Sequence, residues 1–432
     1  MDYQEALAFL QEASKFGMNL GLERIKELLK RLGDPQACGI KYVHVGGTNG
    51  KGSTAAFVAS ILQAAGFKVG FFSSPHLHSY CERMKINWLD ITEDRVADLL
   101  SSIKPYLAAM VADGFEPPTE FEISTVVAFC YFAQENVDWV VLEVGLGGEL
   151  DATNVIVPEV SIITNVALDH VAQLGKSIEA IAKTKAGIIK ENQPVISGVT
   201  GVAEKIIKER VNDLKAPLYL AGRDFCWQIF EQNLAFQVFS CSFGQKKLEN
   251  LKINFLGRHQ VQNAALAVAT AVLLNLSEDA IRKGLEQTKW PGRLEILCTK
   301  PLVLLDGAHN VHGMRSLSVA LTDYWPNKKP VAVLSMLGDK DRENALAVIL
   351  PHLSHAVITR PPSTRAKKWD KLADICRAAQ VPTEIEQDIK KACQIGLRLA
   401  KEKNEMLLVT GSLYMLAEAR QYLPELLKEG NY

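Results

Sequence analysis

The stretch His44-Val45-Gly46-Gly47-Thr48-Asn49-Gly50-Lys51-Gly52-Ser53 decides how the rest of the chain is read. An apolar run, Tyr42 to Val45, leads into it and predicts a buried strand. Thr54 to Ala65 leads out of it and predicts a helix. A strand, a glycine-rich turn with a lysine, then a helix is the context of a phosphate-binding loop. The glycines let backbone N–H groups converge on phosphate oxygens, and the helix N-terminus adds positive potential. Lys51 is placed to reach the β and γ phosphates. The spacing departs from the common motif: only Thr48 and Asn49 separate Gly47 from Gly50, and Gly52 stands between Lys51 and Ser53. A glycine-rich turn can also be a plain connection; the lysine and the flanking elements favour nucleotide binding.

Working outward, residues 5–16 and 22–31 predict two helices before the loop, closed by Gly33-Asp34-Pro35. After the loop, the helix ends at Gly66 and Val69 to Phe72 reads as a short buried strand. Strand, helix, strand with tight connections implies a parallel sheet. Ser73-Ser74-Pro75-His76-Leu77 follows a strand end, where ligands of open α/β sheets collect. A hydroxyl there ligates Mg²⁺ or caps a turn. Glu82-Arg83 begins a possible strand through Ile86. Thr92 N-caps a helix to Leu107, and residues 113–122 form a loop holding Pro117-Pro118, Glu120 and Glu122. An apolar helix covers Ile123 to Gln134. The run Val137 to Val144 is a buried strand with Glu143 near its end; an acid there can merely be solvated, but beside a phosphate loop the Mg²⁺-holding role is favoured. Val160 to Val166 is a further strand, ending in Ala167-Leu168-Asp169-His170. For His170, a structural hydrogen bond and a ligand role both stay open on pattern alone. The helix Ile178 to Ile189 carries Lys183, Lys185 and Lys190, which read as a solvated face.

From Gln193 to Leu220 the α/β alternation continues. Then Phe225–Phe230, Leu234–Ser240 and Leu248–Phe255 alternate apolar and polar residues, which predicts antiparallel hairpins. Asn263 precedes an alanine-rich helix, 264–274, and Ser277 caps a helix ending near Thr288. Trp290-Pro291-Gly292-Arg293 is the best boundary. Beyond it lie strands Leu302–Leu305, Val331–Met336, Ala356–Thr359 and Met406–Val409, interleaved with helices and followed by a short helix after Gly411-Ser412. Asp306-Gly307-Ala308-His309-Asn310 stands at the first of these strand ends. The expected architecture is an α/β chain. Residues 1–289 form a doubly wound, mostly parallel sheet domain of phosphate-loop type with small antiparallel hairpins. Residues 290–432 form a second, smaller Rossmann-like α/β domain.

Bulk properties bound the function. The 432 residues predict two or three domains. Hydrophobic residues make up 48% and charged residues 22%, an ordinary globular balance. A net charge of −1 gives no general attraction to nucleic acid or an anionic membrane. The eight cysteines are scattered and form no CxxC pair, which suits reduced core thiols in a cytoplasmic protein rather than a zinc ribbon. Met1 to Phe16 carries Asp2, Glu5 and Glu12 and reads as an amphipathic helix rather than a signal peptide. The most apolar helix is too short to span a bilayer. A monomer acting on small molecules is expected.

The residues also carry a family resemblance. GTNGKGS (47–53), SSPHL (73–77), LEVGLGGELDATN (142–154), LDH (168–170), KAGIIK (185–190), PGRLE (291–295) and DGAHN (306–310) run in the order of the folylpolyglutamate synthases and bifunctional dihydrofolate synthases, within the Mur-ligase-like superfamily. The chain resembles that family over most of its length. The resemblance implies an ATP-dependent amide ligase adding L-glutamate to folates, and to dihydropteroate in the bifunctional form, through an acyl phosphate. It implies that Thr48, Asn49, Gly50, Lys51, Gly52, Ser53, Asn263, Arg293 and Asp306 contact ATP. By the same match Ser74, Glu143 and His170 ligate Mg²⁺, and Lys185 is carbamylated and holds a second Mg²⁺. Asp306, His309 and Ser412 match residues implicated in the second domain's part of the reaction. Ser74, Thr119, Glu120, Phe121, Glu122, Leu150, Asp151 and Ala152 match substrate-contacting positions, the last seven of them in the pterin-binding region. Two positions depart from the family pattern: Thr184 stands where Glu is usual before the modified lysine, and Val311 where Pro follows DGAHN.

Two rival readings remain at this level. A cell-wall amino-acid ligase of the same superfamily would have a uridine-nucleotide domain ahead of the loop, and 43 residues are too few for one. A nucleotide-driven switch without ligase chemistry predicts ATP hydrolysis indifferent to folate and glutamate.

Overall fold

In the computed structural model, residues 1–13, 17 and 19–430 are described. The strand Lys41–Gly46 that feeds the phosphate loop runs through the middle of an eight-stranded sheet. The strand order is Leu89–Asp90, Met84–Ile86, Val69–Phe72, Trp139–Glu143, Lys41–Gly46, Val160–Ile163, Val195–Ser197, Leu218–Leu220. The central pairings are parallel, and only the Met84–Ile86 hairpin edge runs antiparallel to its neighbour. Register positions the site. Val45 pairs with Glu143 and Gly46 with Ile163, so the phosphate loop, the Glu143 carboxylate and the segment from Thr164 to His170 all leave the sheet at one end.

Successive residues of the central strands face opposite layers, as the pleat requires. Tyr42, Val140 and Leu142 pack under the helices Tyr3–Ala13, Glu23–Arg31, Glu93–Ala112 and Glu120–Gln134. Val43, Val45, Val141 and Ile162 pack on the opposite side, with the helices Lys51–Ala64, Arg258–Leu273 and Glu278–Gln287 and an antiparallel sheet of Phe225–Gln232, Gln237–Phe243 and Lys246–Ile253. Gly284 on the last of these helices approaches the backbone of Ile61, where a Cβ would come within 2.4 Å of its Cα.

The second sheet has six strands in the order Glu295–Thr299, Leu302–Asp306, Leu407–Thr410, Val331–Leu334, His355–Ile358, Thr383–Ile385. Only Glu295–Thr299 is antiparallel to its neighbour. Both faces are covered, so this is a doubly wound layer in its own right. Among the described residues, no helix is long and apolar enough to cross a membrane.

Several expectations shift at element ends. The predicted helix 5–16 is Tyr3–Ala13, and positions 14–16 lie outside the described residues. Glu82 and Arg83 are not strand but the end of a 3-10 turn, Tyr80–Arg83, capped by Ser79 with Glu82 closing a capping box. The helix from Thr92 runs on past Leu107 to Ala112, through Pro105. Glu120 and Glu122 are not in the loop. Thr119 N-caps a helix that starts at Glu120, and Glu122 reciprocates at the third position. The strand predicted to Val166 stops at Ile163, the lysine helix stops at Ala186, and Asn263 lies inside the alanine-rich helix, which begins at Arg258. The helix after Ser412 is not short; it spans Leu413–Glu429. The edge strands Glu295–Thr299 and Thr383–Ile385 had no counterpart in the sequence reading because their burial is incomplete.

Candidate active site

The phosphate loop is built by positive backbone angles and close packing. Gly47 has φ +141, and a Cβ there would lie 1.9 Å from Thr164 Oγ1. Gly50, φ +79, is the N-cap of the helix Lys51–Ala64, and a Cβ would lie 2.4 Å from Asn263 Oδ1. The loop is moored to the neighbouring strand's exit. Thr48 N donates to Asn165 O at 2.9 Å, and Asn49 N donates to Asn165 Oδ1 at 3.0 Å. The Asn49 carbonyl accepts from Thr164 Oγ1 at 2.7 Å and from Asn165 Nδ2 at 2.8 Å. Lys51 Nζ folds back to Thr48 O at 3.3 Å. Thr48, Asn49, Gly50, Lys51, Gly52 and Ser53 together line a cavity of about 220 Å³.

Glu143, Ser74, His170, Lys185, Asn263, Arg293, Asp306 and His309 line the same cavity. Burial raises the Glu143 carboxyl above its ordinary value, opposed by the charges of Lys51 and Arg293 and by backbone N–H groups of Ser74 and Gly52. Lys185 is 3% exposed, not solvated as its helix pattern suggested. Its Nζ donates to Gly47 O at 2.7 Å. Burial, and then the neighbouring Lys51 charge, brings its ammonium down to about 7. Asp306 accepts from Leu294 N at 3.0 Å and Ala308 N at 2.9 Å, and burial raises its carboxyl. Burial lowers the Arg293 guanidinium, which Asp306 and Glu143 counter.

His309 Nδ1 lies 2.8 Å from the Gly307 carbonyl, which fixes Nδ1 as the protonated nitrogen and leaves Nε2 with its lone pair. Burial and then Lys340 hold this imidazole at about 4, so it is neutral near pH 7. His170 is likewise lowered to about 4 by burial and Lys340. Its Nδ1 is buried with no partner, and its Nε2 lies 3.2 Å from Lys340 Nζ.

A hydroxyl and a buried carboxylate are hard oxygen donors suited to Mg²⁺, and His170 adds a borderline nitrogen donor whose Nδ1 has no partner. Among the described residues, no three His, Cys, Asp or Glu side chains form a ready cage. Mg²⁺ keeps few protein ligands and takes phosphate oxygens and water for the rest. The donor set therefore fits the ion.

A second cavity, about 310 Å³, opens beside the first. Thr119, Glu120, Phe121, Glu122, Leu150, Asp151 and Ala152 line it, as do Ser74, His170, His309 and Ser412. Ser74, Pro75, Gly145, Leu146, His170, His309 and Leu413 border both cavities, so the two are continuous. Asp151, raised by burial, accepts from Leu146 N at 2.7 Å and from Thr153 N at 3.0 Å and shapes the glycine turn between them. The Glu122 carboxylate is occupied by Arg24 Nε at 3.1 Å and by Thr119 N at 2.7 Å, so it organises the wall. Glu120 pairs with Arg83 at 2.7 Å. Ser412 Oγ is buried without a partner at the mouth of the Leu413–Glu429 helix.

Every residue that the family resemblance assigns to ATP, metal, substrate or catalysis thus borders one cavity or the other. The sequence reading missed Asp169, Arg83, Lys340 and Arg365 as site residues. Lys340 had a usable signal: it follows the end of the strand Val331–Leu334, as His309 and Ser412 follow theirs.

Comparison with known proteins agrees with this geometry. Residues 45–271 match the Mur ligase middle domain and residues 292–413 the Mur ligase glutamate ligase domain. A Bacillus subtilis dihydrofolate synthase/folylpolyglutamate synthase is 38% identical over 98% of this chain and 99% of its own length. Mycobacterium tuberculosis folylpolyglutamate synthase, solved with ADP and AMPPCP, superposes with TM-score 0.91 at 29% identity, covering 97% of this chain and 98% of that one. Escherichia coli FolC in complex with DHPP and ADP superposes with TM-score 0.86 at 30% identity, covering 99% and 98%. The chain belongs to the Mur ligase family, in its folylpolyglutamate synthase and dihydrofolate synthase branch.

Proposed function

We propose that this chain joins L-glutamate to the terminal carboxylate of a folate, and to dihydropteroate, with conversion of ATP to ADP and phosphate. The observation that carries this reading is the continuity of the two cavities at Ser74, His170 and His309. One cavity has a phosphate loop for ATP. The other has apolar walls, Phe121, Leu146 and Leu150, with Asp151 and Glu120 for a flat polar ring. The carboxylate to be activated then lies where the two meet.

A carboxylate is a poor acyl donor. Its oxygen attacks the γ-phosphorus, ADP leaves, and the acyl phosphate now has a leaving group. The glutamate nitrogen attacks the acyl carbon and the tetrahedral intermediate expels phosphate. Lys51, Arg293 and the loop amides align and neutralise the phosphates. His309 Nε2, with its lone pair free, accepts a hydrogen bond from the incoming amine and orients it, and Ser412 Oγ, buried without a partner, donates to a substrate carboxylate. Ser74, Glu143 and His170 would hold one Mg²⁺ and carbamylated Lys185 a second, and the ions would supply charge neutralisation for the phosphates. Lys185 suits carbamylation: its amine, lowered to about 7, attacks CO₂ while neutral, forming an N–C bond and releasing a proton. The product carboxylate replaces a cation beside Lys51.

We place the domain division between residues 289 and 290, in the linker that delivers Arg293 to the nucleotide cavity. We take a monomer as the working unit. The test is ATP- and Mg²⁺-dependent incorporation of labelled L-glutamate, with tetrahydrofolate and dihydropteroate in parallel. Product with both is expected. Product with tetrahydrofolate alone restricts the chain to polyglutamylation. ATP hydrolysis indifferent to either would overturn the reading.

A further inference from the structure

Asp169 lies just beyond the strand Val160–Ile163, in the first domain, with a side chain 9% exposed. Nearly everything it holds belongs to the second. Its Oδ1 accepts from Lys340 Nζ at 2.6 Å. Its Oδ2 accepts from Asn310 Nδ2 at 2.9 Å and lies 3.8 Å from His309 Nε2. From its own side it accepts from the His170 backbone N–H at 2.8 Å, with His170 Nε2 4.0 Å from Oδ1. Asn310 passes the connection on: its Nδ2 also donates to Asn49 Oδ1 at 3.0 Å, and Asn49 Nδ2 donates to Asn310 Oδ1 at 3.2 Å. Asn49 Nδ2 lies 3.0 Å from His312 Nδ1 as well. A continuous polar network therefore runs from Lys340 through Asp169 and Asn310 to Asn49 of the phosphate loop.

We infer that Asp169 is a positioning residue that gathers the loops bearing His309, Asn310 and Lys340 onto the nucleotide site, so that its ion pair with Lys340 sets the working alignment of the two domains. The inference rests on the ligase reading above and extends it to a residue that reading leaves without a role. The Lys340 side chain is 5% exposed. A buried ammonium needs an acid partner, and the adjacent Asp339 is already paired with Arg365. With the domains together, Asp169 is the carboxylate that compensates Lys340. Such a pair adds little net stability, because both charges lose water, but it penalises every closed arrangement that leaves one of them buried without the other. It is suited to fixing geometry. The loops it fixes carry His309, at the junction of the two cavities, and Asn310, which grips the phosphate loop through Asn49.

The test compares Asp169→Asn, Lys340→Met and the double variant with the unaltered chain, in the presence of ATP and Mg²⁺ and without folate. Amide hydrogen exchange is read in residues 307–313 and 337–341. Each single variant should speed exchange in both segments by about 10-fold, a local opening rather than global unfolding. In glutamate incorporation the double variant should lose no more than the worse single, since both remove one shared contact. Unchanged exchange in the two segments, or losses that multiply in the double variant, would overturn the inference. Lys340→Met tests the same contact should Asp169→Asn fold poorly. The exchange readout needs no turnover. Failure of the unaltered chain to incorporate glutamate would therefore count against the ligase reading and not against this one.

Discussion

The Nζ of Lys185 lies 2.7 Å from the carbonyl oxygen of Gly47, so a lysine from the helix Ile178–Ala186 is anchored directly on the phosphate loop. Lys183, two residues earlier on the same helix, is exposed. Lys185→Ala should lower turnover by about 10- to 100-fold, the range seen when a group supporting a metal site is removed. Lys183→Ala should leave it within experimental error. Steady-state rates at saturating ATP check this, and equal losses in the two variants would remove Lys185 from the mechanism.

The glycines of the loop are not equivalent to glycines elsewhere. Gly50 has φ +79 and would press a Cβ to 2.4 Å from Asn263 Oδ1, whereas Gly66 has φ +95 and open space around it. Both alanine substitutions carry backbone strain of about 1–3 kcal/mol. Only Gly50→Ala should also weaken nucleotide binding, because Asn263 and the helix start must move. Titration with a fluorescent ATP analogue separates the two; equal affinities would show that the loop tolerates the displacement.

Arg24 ties Glu122 and Asn19, which line the larger of the two cavities, to the exposed Glu116. Its Nε donates to Glu122 at 3.1 Å, its Nη2 to the Asn19 carbonyl at 2.5 Å, and its Nη1 lies 3.6 Å from Glu116. The pair with Glu122 is buried, with side-chain exposures of 10% and 4%. Arg24→Met leaves the carboxylate uncompensated and should cost about 3–5 kcal/mol of stability. Folate KM should rise while ATP KM holds. Denaturant unfolding and paired KM measurements test this, and an unchanged folate KM would make Arg24 a purely structural residue.

His44, on the central strand, is fully buried, with Nε2 2.8 Å from Thr153 Oγ1. Burial, then the charge of Lys190, lowers it from 6.5 to about 3. Between those pH values the unfolded chain binds a proton that the folded chain refuses. Stability is therefore full above pH 6.5 and falls as pH drops toward about 3. The urea midpoint of the unaltered chain should decline below pH 6.5 more steeply than that of His44→Asn, which has no proton to gain. Parallel curves would assign the acid sensitivity to other buried histidines, such as His259, also lowered to about 4 by burial.

What the sequence disclosed follows from how local each signal is. The phosphate loop, the buried strands and the Glu143 strand end are contiguous patterns, and they read correctly because burial on both faces leaves little else for such runs to be. Thr119 and Glu122 form a capping box that was legible but passed over, because Pro117-Pro118 ahead of it suggested a longer loop. Lys185 misread as solvated for a different reason. Its helix has the lysine spacing of an exposed face, and what covers it is the phosphate loop, 138 positions away in sequence. Asp169 and Lys340 are 171 positions apart, and their pairing depends on how two separately folded sheets meet, which no periodicity records. The family resemblance supplied roles for Lys185, Asn263 and Ser412 that pattern alone did not.

The most direct test of the chemistry is to follow the carboxylate oxygen. Tetrahydrofolate carrying ¹⁸O in its terminal carboxylate is incubated with ATP, Mg²⁺ and L-glutamate, and the released phosphate is analysed by mass spectrometry. Activation through an acyl phosphate at the junction of the two cavities transfers one labelled oxygen into each phosphate released with product. Phosphate without label, in an incubation that forms the glutamylated folate, would contradict it.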